Sequence, residues 1–427
     1  MASCLLAFGQ AIVPLEIQSR ADESAVVSWH VTSMVPPPGF PVFADYRLMA
    51  TKDFQTWLPA APTLSGKQAP FGELSVAIAN ARTDAVRFFR LEAVADLRGA
   101  SMARFALQKA DLPGALLLGA DLFGADLSEA NLAGADLNGA AARRVNLSLA
   151  RLRGARIIAA SLVQANLDGA DLRGADLSYS DLSEATLSNA DLSHTDLRFT
   201  LLRGADLRFA FLLGAKLDDR TVLDPKWKRV WQLLNRGPAD LNLRGVDLSF
   251  ANLTGADLAG VDFGTADLSG ALLQQTKLVR ANLLEAQLRF TEFRGAEIDD
   301  STRLPAKSRL VWELVTLGGA GRDLRSRDLA SVSLVGANLQ GANLGQANCA
   351  VSILIAANLQ SCTLTNADFR QADLTAADLR NANLANALLS NANLTQANLR
   401  NANLTSATLS GAIFNRTTMP DGTVRNR

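Results

Sequence analysis

The stretch GADLFGADLSEANLAGADLNGA, residues 119–140, repeats one five-residue pattern. Leucine returns at every fifth position, as Leu122, Leu127, Leu132 and Leu137. Alanine stands two places before each leucine, and aspartate or asparagine stands between them. A period of five matches neither a helix, with 3.6 residues per turn, nor a long strand, with a period of two. Each unit is therefore expected to be a short extended piece followed by a corner.

The side chains of such a unit alternate between two sides. In an extended piece, residues two apart share a side, so alanine and leucine point inward while the aspartate or asparagine points outward. Small and large apolar residues would then fill the interior of a stack of coils. The pattern predicts a solenoid that needs no other core.

The repeat fills three blocks, at residues 95–219, 241–300 and 322–419. Long runs in one register, such as residues 119–140, resemble the pentapeptide-repeat family. The resemblance implies an all-β fold, a right-handed quadrilateral β-helix with about four units per coil. Whether the three blocks form one continuous stack is left open by the sequence.

Two related segments, predicted at residues 220–240 and 301–321, interrupt the repeat. The sequence of residues 207–237 aligns with that of residues 288–318 at an offset of 81, which pairs Trp231 with Trp312. Asp224, Pro225 and Gly237 suit the N-cap, the first turn and the position after the end of a helix. Each interruption is therefore predicted to hold a short helix. Its apolar stripe is Trp227, Val230, Trp231 and Leu234 in the first copy, and Val311, Trp312 and Val315 in the second.

Large apolar residues stand at outward positions just before each interruption. They are Phe209, Phe211 and Leu213 before the first helix and Phe290 before the second. We hypothesise that each helix folds back as a lid, with Trp227 and Trp231 on Phe209 and Phe211, and Trp312 on Phe290. Four faces per coil put Phe199 and Leu201 on the opposite side. One short helix cannot cover both sides, so Phe199 and Leu201 are candidates for a partner surface.

Residues 1–94 do not follow the repeat, and residues 420–427 form a short tail. Four β-rich stretches, AVVSWHV, FADYRLMAT, ELSVAIA and AVRFFRLEAV, are separated by turn-forming residues such as VPPPGFP. They predict a small antiparallel β-sandwich. The stretches YRLMATKDFQTWLP and VRFFRLEA are similar to fibronectin-type-III-like modules of bacterial exported proteins. The last strand is expected to feed the first coil directly and so to cap the solenoid.

Composition leaves the cellular compartment open. The chain has 42 basic and 42 acidic residues, and no apolar run of transmembrane length. The opening MASCLLAFGQA fits either a clipped signal peptide or the start of a strand, so export and a cytoplasmic location both remain. Of the three cysteines, Cys349 takes a central core position and Cys362 a small inward one, which indicates core packing and no disulfide framework.

No catalytic, cofactor or metal motif is visible. The two histidines, His30 and His194, lie in different modules, and no Cys-x-x-Cys, phosphate loop or metal-ligand spacing occurs. The many carboxylates occupy the regular outward position of the repeat. The sequence therefore predicts no enzyme, no cofactor and no metal.

Charge separates two functions that the chain could have. In the resembled family, an acidic rod can mimic duplex DNA and bind a type II topoisomerase such as gyrase. Here residues 96–219 carry 16 acids and 13 bases, residues 240–300 carry 10 and 5, and residues 322–416 carry 5 and 7. Pairs such as Asp171 with Arg173 also place opposite charges on one outward face. The preferred interpretation is a non-catalytic scaffold that presents polar ladders to a protein or polysaccharide. DNA mimicry is the alternative, and a nucleic acid partner is not favoured.

Overall fold

The computed structural model describes residues 97–239 and 241–426 in full, and only the main chain of eight strands before residue 97. The chain divides into two compact units, Met1–Asp224 and Pro225–Arg427. Within the described residues, no helix is long and apolar enough to cross a membrane.

The N-terminal strands form two sheets. Strands β1, β2, β3 and β7 form the first sheet in that order, and β4 pairs with β5, β6 and β8 in the second. The four β-rich stretches of the sequence correspond to β3, β4, β7 and β8, which confirms them as strands, and MASCLLAFGQA contains β1. The face-to-face packing that a sandwich requires lies outside the described residues, so the fibronectin-like module stays a prediction. The eight strands are β1 (Ala2–Phe8), β2 (Ala11–Ser19), β3 (Ala25–His30), β4 (Phe43–Thr51), β5 (Leu58–Pro59), β6 (Leu64–Ser65), β7 (Glu73–Ile78) and β8 (Phe88–Asp96).

The repeat stacks in coils of 20 residues. Parallel bridges join residues 20 apart, for example Asp121 to Ala141 and Asp126 to Asn146. The N–H of most central leucines donates to a carbonyl of the next coil, as that of Leu122 does to Ala141 at 2.9 Å. Four five-residue units therefore close one coil, which confirms the predicted quadrilateral solenoid. Strand β8 ends at Asp96, and the next residue, Leu97, already donates to Leu116 in the adjacent coil at 2.7 Å.

The interior contains only the two inward positions of each unit. Leu122, Leu132 and Ala130 are fully buried, and so are the larger residues Phe263 and Phe369 where they replace leucine. Cys349 and Cys362 are also buried, and burial raises the pKa of the Cys349 thiol to about 12. This places both cysteines in the core, as predicted.

The corners explain the five-residue period. In most units, the second residue after the central leucine adopts positive φ, whether it is glycine, as at Gly214 (φ 75°), or a larger residue, as at Phe199 (φ 61°). This left-handed conformation turns the chain onto the next face, and glycine and asparagine adopt it most easily. Each unit thus consists of one inward small residue, one bridge residue, one inward leucine and a two-residue corner.

The first unit ends with a parallel pair of two-residue strands, β9 (Leu201–Leu202) and β10 (Val222–Leu223). Buried Thr221 donates its hydroxyl to the Leu197 carbonyl at 2.9 Å, and its N–H donates to Asp218. Thr302 makes the same bond to Leu278 at 3.0 Å, with Asp299 as its partner. Thr221 and Thr302 are aligned in the segments 207–237 and 288–318, as are Asp218 and Asp299, and each pair lies where the chain leaves a repeat block. We call these two places the exits of the repeat. Their hydrogen bonds explain why the same residues recur there.

Both interruptions contain the predicted helix, α1 (Pro225–Arg236) and α2 (Ala306–Thr316). Gly237 follows α1 at φ 76°, as the sequence indicates. The buried faces differ from the predicted stripes. Leu233, and not the half-buried Leu234, completes the buried face of α1, while Trp312 and Val315 are only half-buried in α2. The two helices bury aligned positions. The buried residues are Trp227, Val230, Trp231 and Leu233 in α1, and Ser308, Val311 and Leu314 in α2. Among these aligned positions, only Trp312, the counterpart of Trp231, is not buried.

In the second unit, the two repeat blocks are hydrogen-bonded across the interruption. The Phe290 N–H donates to the Ser331 carbonyl at 3.0 Å. The Arg294 guanidinium donates to the Val335 carbonyl. Blocks 241–300 and 322–419 therefore belong to one stack. At its end, β11 (Thr417–Thr418) pairs antiparallel with β12 (Val424–Arg425), and this hairpin covers part of the last strand edge.

Candidate functional surface

The outward aspartates and asparagines have a structural task. Asp121 Oδ1 accepts the N–H of Phe123 at 3.1 Å, and Asn166 Oδ1 accepts that of Asp168 at 3.1 Å. The same bond recurs through most of the repeat, because the side chain before the central leucine reaches the N–H two residues on. One carboxylate or amide oxygen in most units is therefore occupied in holding a corner.

The remaining polar atoms link one coil to the next. Asn131 donates to Asp111 at 2.7 Å, and Asn146 donates to Asp126 at 2.9 Å and accepts from Asn166 at 3.0 Å. A corner ladder on another face runs from Arg144 through Gln164 to Glu184. The polar ladders predicted from the sequence are therefore present, and their side chains are fixed by neighbours on both sides.

Arginine neutralises much of the acidic wall. Arg173 donates both Nε and Nη2 to the two carboxylate oxygens of Asp171, at 2.7 and 2.5 Å. The hydrogen bonds from Arg325 likewise hold the pKa of Asp323 down at about 2. The sequence predicted such pairs, for example Asp171 with Arg173, and the described residues include six of them: Asp171–Arg173, Asp196–Arg198, Asp206–Arg208, Asp323–Arg325, Asp368–Arg370 and Asp378–Arg380.

One coil is strongly basic. Residues 141–160 contain five arginines and no acidic residue, and all five arginines are exposed. Among the described residues, no carboxylate lies within salt-bridge distance of Arg151, Arg153 or Arg156. Block-wide charge sums hid this coil, because the aspartates of neighbouring coils balance it. Counting charge per coil of 20 would have revealed it.

The predicted partner residues Phe199 and Leu201 lie in an aromatic patch. The ring of Phe199 stacks on that of Tyr179, with centroids 4.4 Å apart and planes within 8°. The Arg220 guanidinium lies 5.3 Å from the Phe199 centroid. Tyr179 is 59% exposed and Leu201 is 40% exposed. The sequence analysis missed Tyr179, although it stands 20 residues, one coil, before Phe199.

The predicted lid residues have the following environments. Trp227 and Trp231 are each 7% exposed, whereas Phe211 is 42% exposed. The Arg236 guanidinium lies 4.9 Å from the Trp231 ring. Phe209, like Phe290, is half-buried. Packing of the tryptophans of α1 on Phe209 or Phe211 stays a prediction.

The second lid has a defined polar anchor. The indole Nε1 of Trp312 donates to the Ala296 carbonyl at 2.7 Å. The Arg289 guanidinium lies 5.5 Å from the Phe290 ring. Contact between Trp312 and Phe290 stays a prediction. A hydrogen bond from the indole explains why this tryptophan is kept at the surface of α2.

A half-buried carboxylate lies where the two blocks of the second unit meet. Glu292 accepts from Gln274 and, at 3.4 Å, from the Ser333 hydroxyl. Burial raises the pKa of Glu292 above its usual value. His194, the histidine of the repeat, is exposed and lies over Gly214. Among the described residues, no group of three histidine, cysteine or acidic side chains could hold a metal ion.

The family model for pentapeptide repeats matches residues 95–219, 242–263, 266–302 and 333–419. The chain belongs to the pentapeptide-repeat family. The solved structures to which it is similar include HetL of the cyanobacterium Nostoc sp. strain PCC 7120, a pentapeptide-repeat protein involved in regulating heterocyst differentiation. It is 26% identical over 71% of this chain and 91% of its own, with a TM-score of 0.20.

Two further pentapeptide-repeat structures are similar. One, from the thylakoid lumen of Arabidopsis thaliana, is 29% identical over 25% of this chain and 71% of its own, with a TM-score of 0.20. The other, the plasmid-mediated fluoroquinolone resistance protein QnrB1, is 16% identical over 48% of this chain and 91% of its own, with a TM-score of 0.18. The comparison with curated protein sequences gave no significant match.

Proposed function

We propose that this pentapeptide-repeat protein is a non-catalytic scaffold whose outer faces bind a protein or polysaccharide partner. The observation that carries the proposal is the exposed aromatic patch of Tyr179, Phe199 and Leu201. The patch lies on an outer surface whose polar side chains are hydrogen-bonded to one another. Exposed aromatic side chains in fixed positions lose little entropy on binding, so they favour recognition of a partner.

The basic coil at residues 141–160 supports the same proposal. The bridge between Arg156 and Asp176 stacks this coil directly against the coil that carries Tyr179. Of the five exposed arginines, Arg156 lies on the side of the coil that leads to the Tyr179 corner, so charge and apolar area occur there one coil apart. A partner that combines carboxylate groups with apolar or sugar rings would match both features.

The test compares two double variants in a binding screen against acidic polysaccharides and cellular proteins. Phe199→Ser with Leu201→Ser should abolish binding to the partner found with the native protein. Leu118→Ser with Ile413→Ser, at exposed positions outside the aromatic patch and the basic coil, serves as the control and should leave binding intact. Equal binding by native protein and the Phe199/Leu201 variant would exclude this patch as the partner surface.

The alternative function is DNA mimicry towards gyrase, which the family suggests. Two features count against it: arginine pairs with the outward aspartates, and one coil is wholly basic. A mimic of duplex DNA needs continuous negative potential. In a gyrase supercoiling assay, we expect no inhibition or protection at stoichiometric protein. Protection at that ratio would favour mimicry over the scaffold.

We further infer that the N-terminal sheets pack as a fibronectin-like sandwich that caps the first coil. The direct connection from β8 to Leu97 supports this inference, because an uncovered first coil would present an open strand edge. Removal of residues 1–94 should therefore cause self-association, measured by light scattering. A monomeric and stable truncated chain would contradict the cap.

A further inference from the structure

The two interruptions are copies of each other with one decisive difference. At the offset of 81, Lys226 of α1 aligns with Lys307 of α2, and Trp227 aligns with Ser308. The Lys226 ammonium bonds Asp247 at 3.0 Å, and the Lys307 ammonium bonds the aligned Asp328 at 3.0 Å. The local frame is therefore kept, while a buried indole in one copy is replaced by a serine in the other.

The replacement is accompanied by an open cleft of about 410 Å³ next to Ser308. In the first copy, the core residues Ala205 and Leu207 are buried, at 4% and 1% exposure. Their counterparts beside the cleft, Ala286 and Leu288, are only half-buried. We name this feature the Ser308 cleft; its lining is Ala286, Leu288, Arg289, Pro305, Lys307, Ser308, Ala330, Ser331 and Val332.

Polar groups without a partner lie in or next to this region. Within the described part of the chain, the ladder bond expected of the Leu288 N–H is missing, and so is that of the Asp328 N–H, whereas Leu268 N–H in the preceding coil bonds Gln287 at 2.9 Å. The Ser308 hydroxyl likewise has no partner among the described residues. The cleft thus combines an apolar wall of core residues with unused donors and one hydroxyl.

The first copy shows which chemical group the frame accommodates. The Lys226 ammonium lies 5.0 Å from the Trp227 ring centroid, a cation–π distance. Lys307, in the aligned position, lines the Ser308 cleft. An aromatic ring that entered the cleft would cover Leu288 and meet the Lys307 ammonium. The Ser308 hydroxyl could accept the N–H of an indole.

We propose that the Ser308 cleft binds an aromatic side chain, best a tryptophan, from a protein partner. The partner would supply from outside an aromatic ring like that of Trp227, which stands at the aligned position of α1. The unused N–H of Leu288, which lines the cleft, would bond a main-chain carbonyl of the same segment, which favours a polypeptide over a sugar chain. This inference rests on the proposed function as a scaffold and names the chemistry of one partner.

The test uses 5-fluoroindole as the probe and ¹⁹F NMR as the readout on the full chain. The native protein should broaden and shift the probe signal. Ser308→Trp, which restores the residue of the first copy, should abolish that shift. Ser308→Ala keeps the cleft open and should retain it. Ser406→Trp, at an exposed serine in the last block, is the matched control for an added tryptophan and should also retain it.

Two further variants guard against a folding artefact. Lys307→Met leaves the cleft open but removes the cation, so the probe should bind about two- to fivefold more weakly. Trp227→Ser should create a second site and raise the stoichiometry from one to two. Thermal unfolding of every variant verifies that it is folded.

The proposal is overturned if the native protein leaves the probe signal unchanged, or if Ser308→Trp binds the probe as the native protein does. Glucose at the same concentration tests the other partner class, and a glucose signal without an indole signal would also overturn it. Failure of the indole test leaves the aromatic patch around Tyr179 untouched, since that surface is assayed by the Phe199/Leu201 variant.

Discussion

At the scale of single residues, burial divides neighbouring positions sharply. Leu132 is fully buried, whereas Ala133, the next residue, faces outward at a corner. Leu132→Asp would place a charge among stacked leucines and should lower the free energy of unfolding by about 4 kcal/mol or more. Ala133→Asp should cost less than about 1 kcal/mol. Denaturant titration of both variants measures the difference, and equal losses would contradict the inward and outward assignment.

Gly214 is needed for two separable reasons. Its φ is 75°, and a Cβ there would come within 2.2 Å of Nδ1 of His194. Gly174, on the same corner column, has φ 65° and open space around it. Gly174→Ala should cost about 1 kcal/mol from backbone strain alone, and Gly214→Ala should cost more. In a His194→Ala background, the two costs should become equal by thermal unfolding. A difference that persists there would rule out the contact with His194.

The loss of stability at low pH should depend on Asp299, the aspartate that accepts hydrogen bonds from Ser301 and Thr302. Hydrogen bonds from Ser301 and Thr302 lower the pKa of Asp299 from 3.8 to about 2. A carboxylate whose pKa is lower in the folded than in the unfolded chain stabilises the fold at pH values above the unfolded pKa. This stabilisation is lost as the pH falls to the folded pKa and the carboxylate becomes protonated. The unfolding temperature should therefore fall between pH 4 and pH 2. Asp299→Asn should weaken this fall, whereas Asp300→Asn, its exposed neighbour, should not. The same pH profile in native protein and Asp299→Asn would refute the assignment.

At the scale of elements, α1 should be a local stabiliser. Trp231 is nearly buried and lies beside Arg236, so Trp231→Ala should cost about 3–5 kcal/mol. In a solenoid, stability is roughly a sum over neighbours. Hydrogen exchange should therefore accelerate only near residues 205–250. The half-buried Trp312 provides a comparison, with a smaller expected loss.

The lid hypothesis makes this test more specific. A double-mutant cycle between Trp231→Ala and Phe209→Ala should give a coupling of at least about 0.5 kcal/mol if the two side chains are in contact. A second cycle with Phe199→Ala, from the predicted partner surface, should give none. Additive losses of stability in the first cycle would show that Trp231 and Phe209 do not interact and would contradict the lid hypothesis.

At the scale of the whole molecule, the sequence predicts the coil, the interior and both helices because each follows from a local repeat. Leu132 is inward because its neighbours two and five places away require it. At Thr221 and Thr302, the sequence shows only that the two residues are identical in the aligned segments. Their role could not be predicted, because each threonine hydroxyl bonds a carbonyl 24 residues earlier in the chain. Three-dimensional contacts were therefore the part that the repeat could not predict.

The candidate surface shows the same division. Phe199 and Leu201 stand out in the sequence because they break the outward pattern. Tyr179 breaks it too, but its stacking on Phe199 depends on a coil length of 20 residues, which the repeat alone predicts only as about four units. The alignment shows Ser308 in the place of Trp227, but the cleft beside it could not be predicted, because the sequence does not show whether neighbouring side chains fill the space.

The charge arrangement predicts how the molecule responds to salt. Acidic and basic residues are equal in number, and many aspartates accept from an arginine two residues on. Exposed pairs of this kind contribute about 0–1 kcal/mol each, and salt screens their attraction and the repulsion between like charges alike. Between 0.05 and 0.5 M NaCl, the unfolding temperature should therefore change by less than about 3 °C.

A matched variant tests the reason for this insensitivity. Replacing Arg173, Arg198 and Arg208 with glutamine would leave their aspartates unbalanced within one block. Repulsion along the outer wall would then destabilise the fold at low salt, and added salt would screen it. The unfolding temperature of this variant should rise between 0.05 and 0.5 M NaCl, in contrast to that of the native protein. A rise of about 5 °C or more in the native protein would show that its wall carries unbalanced negative charge, as a mimic of DNA requires.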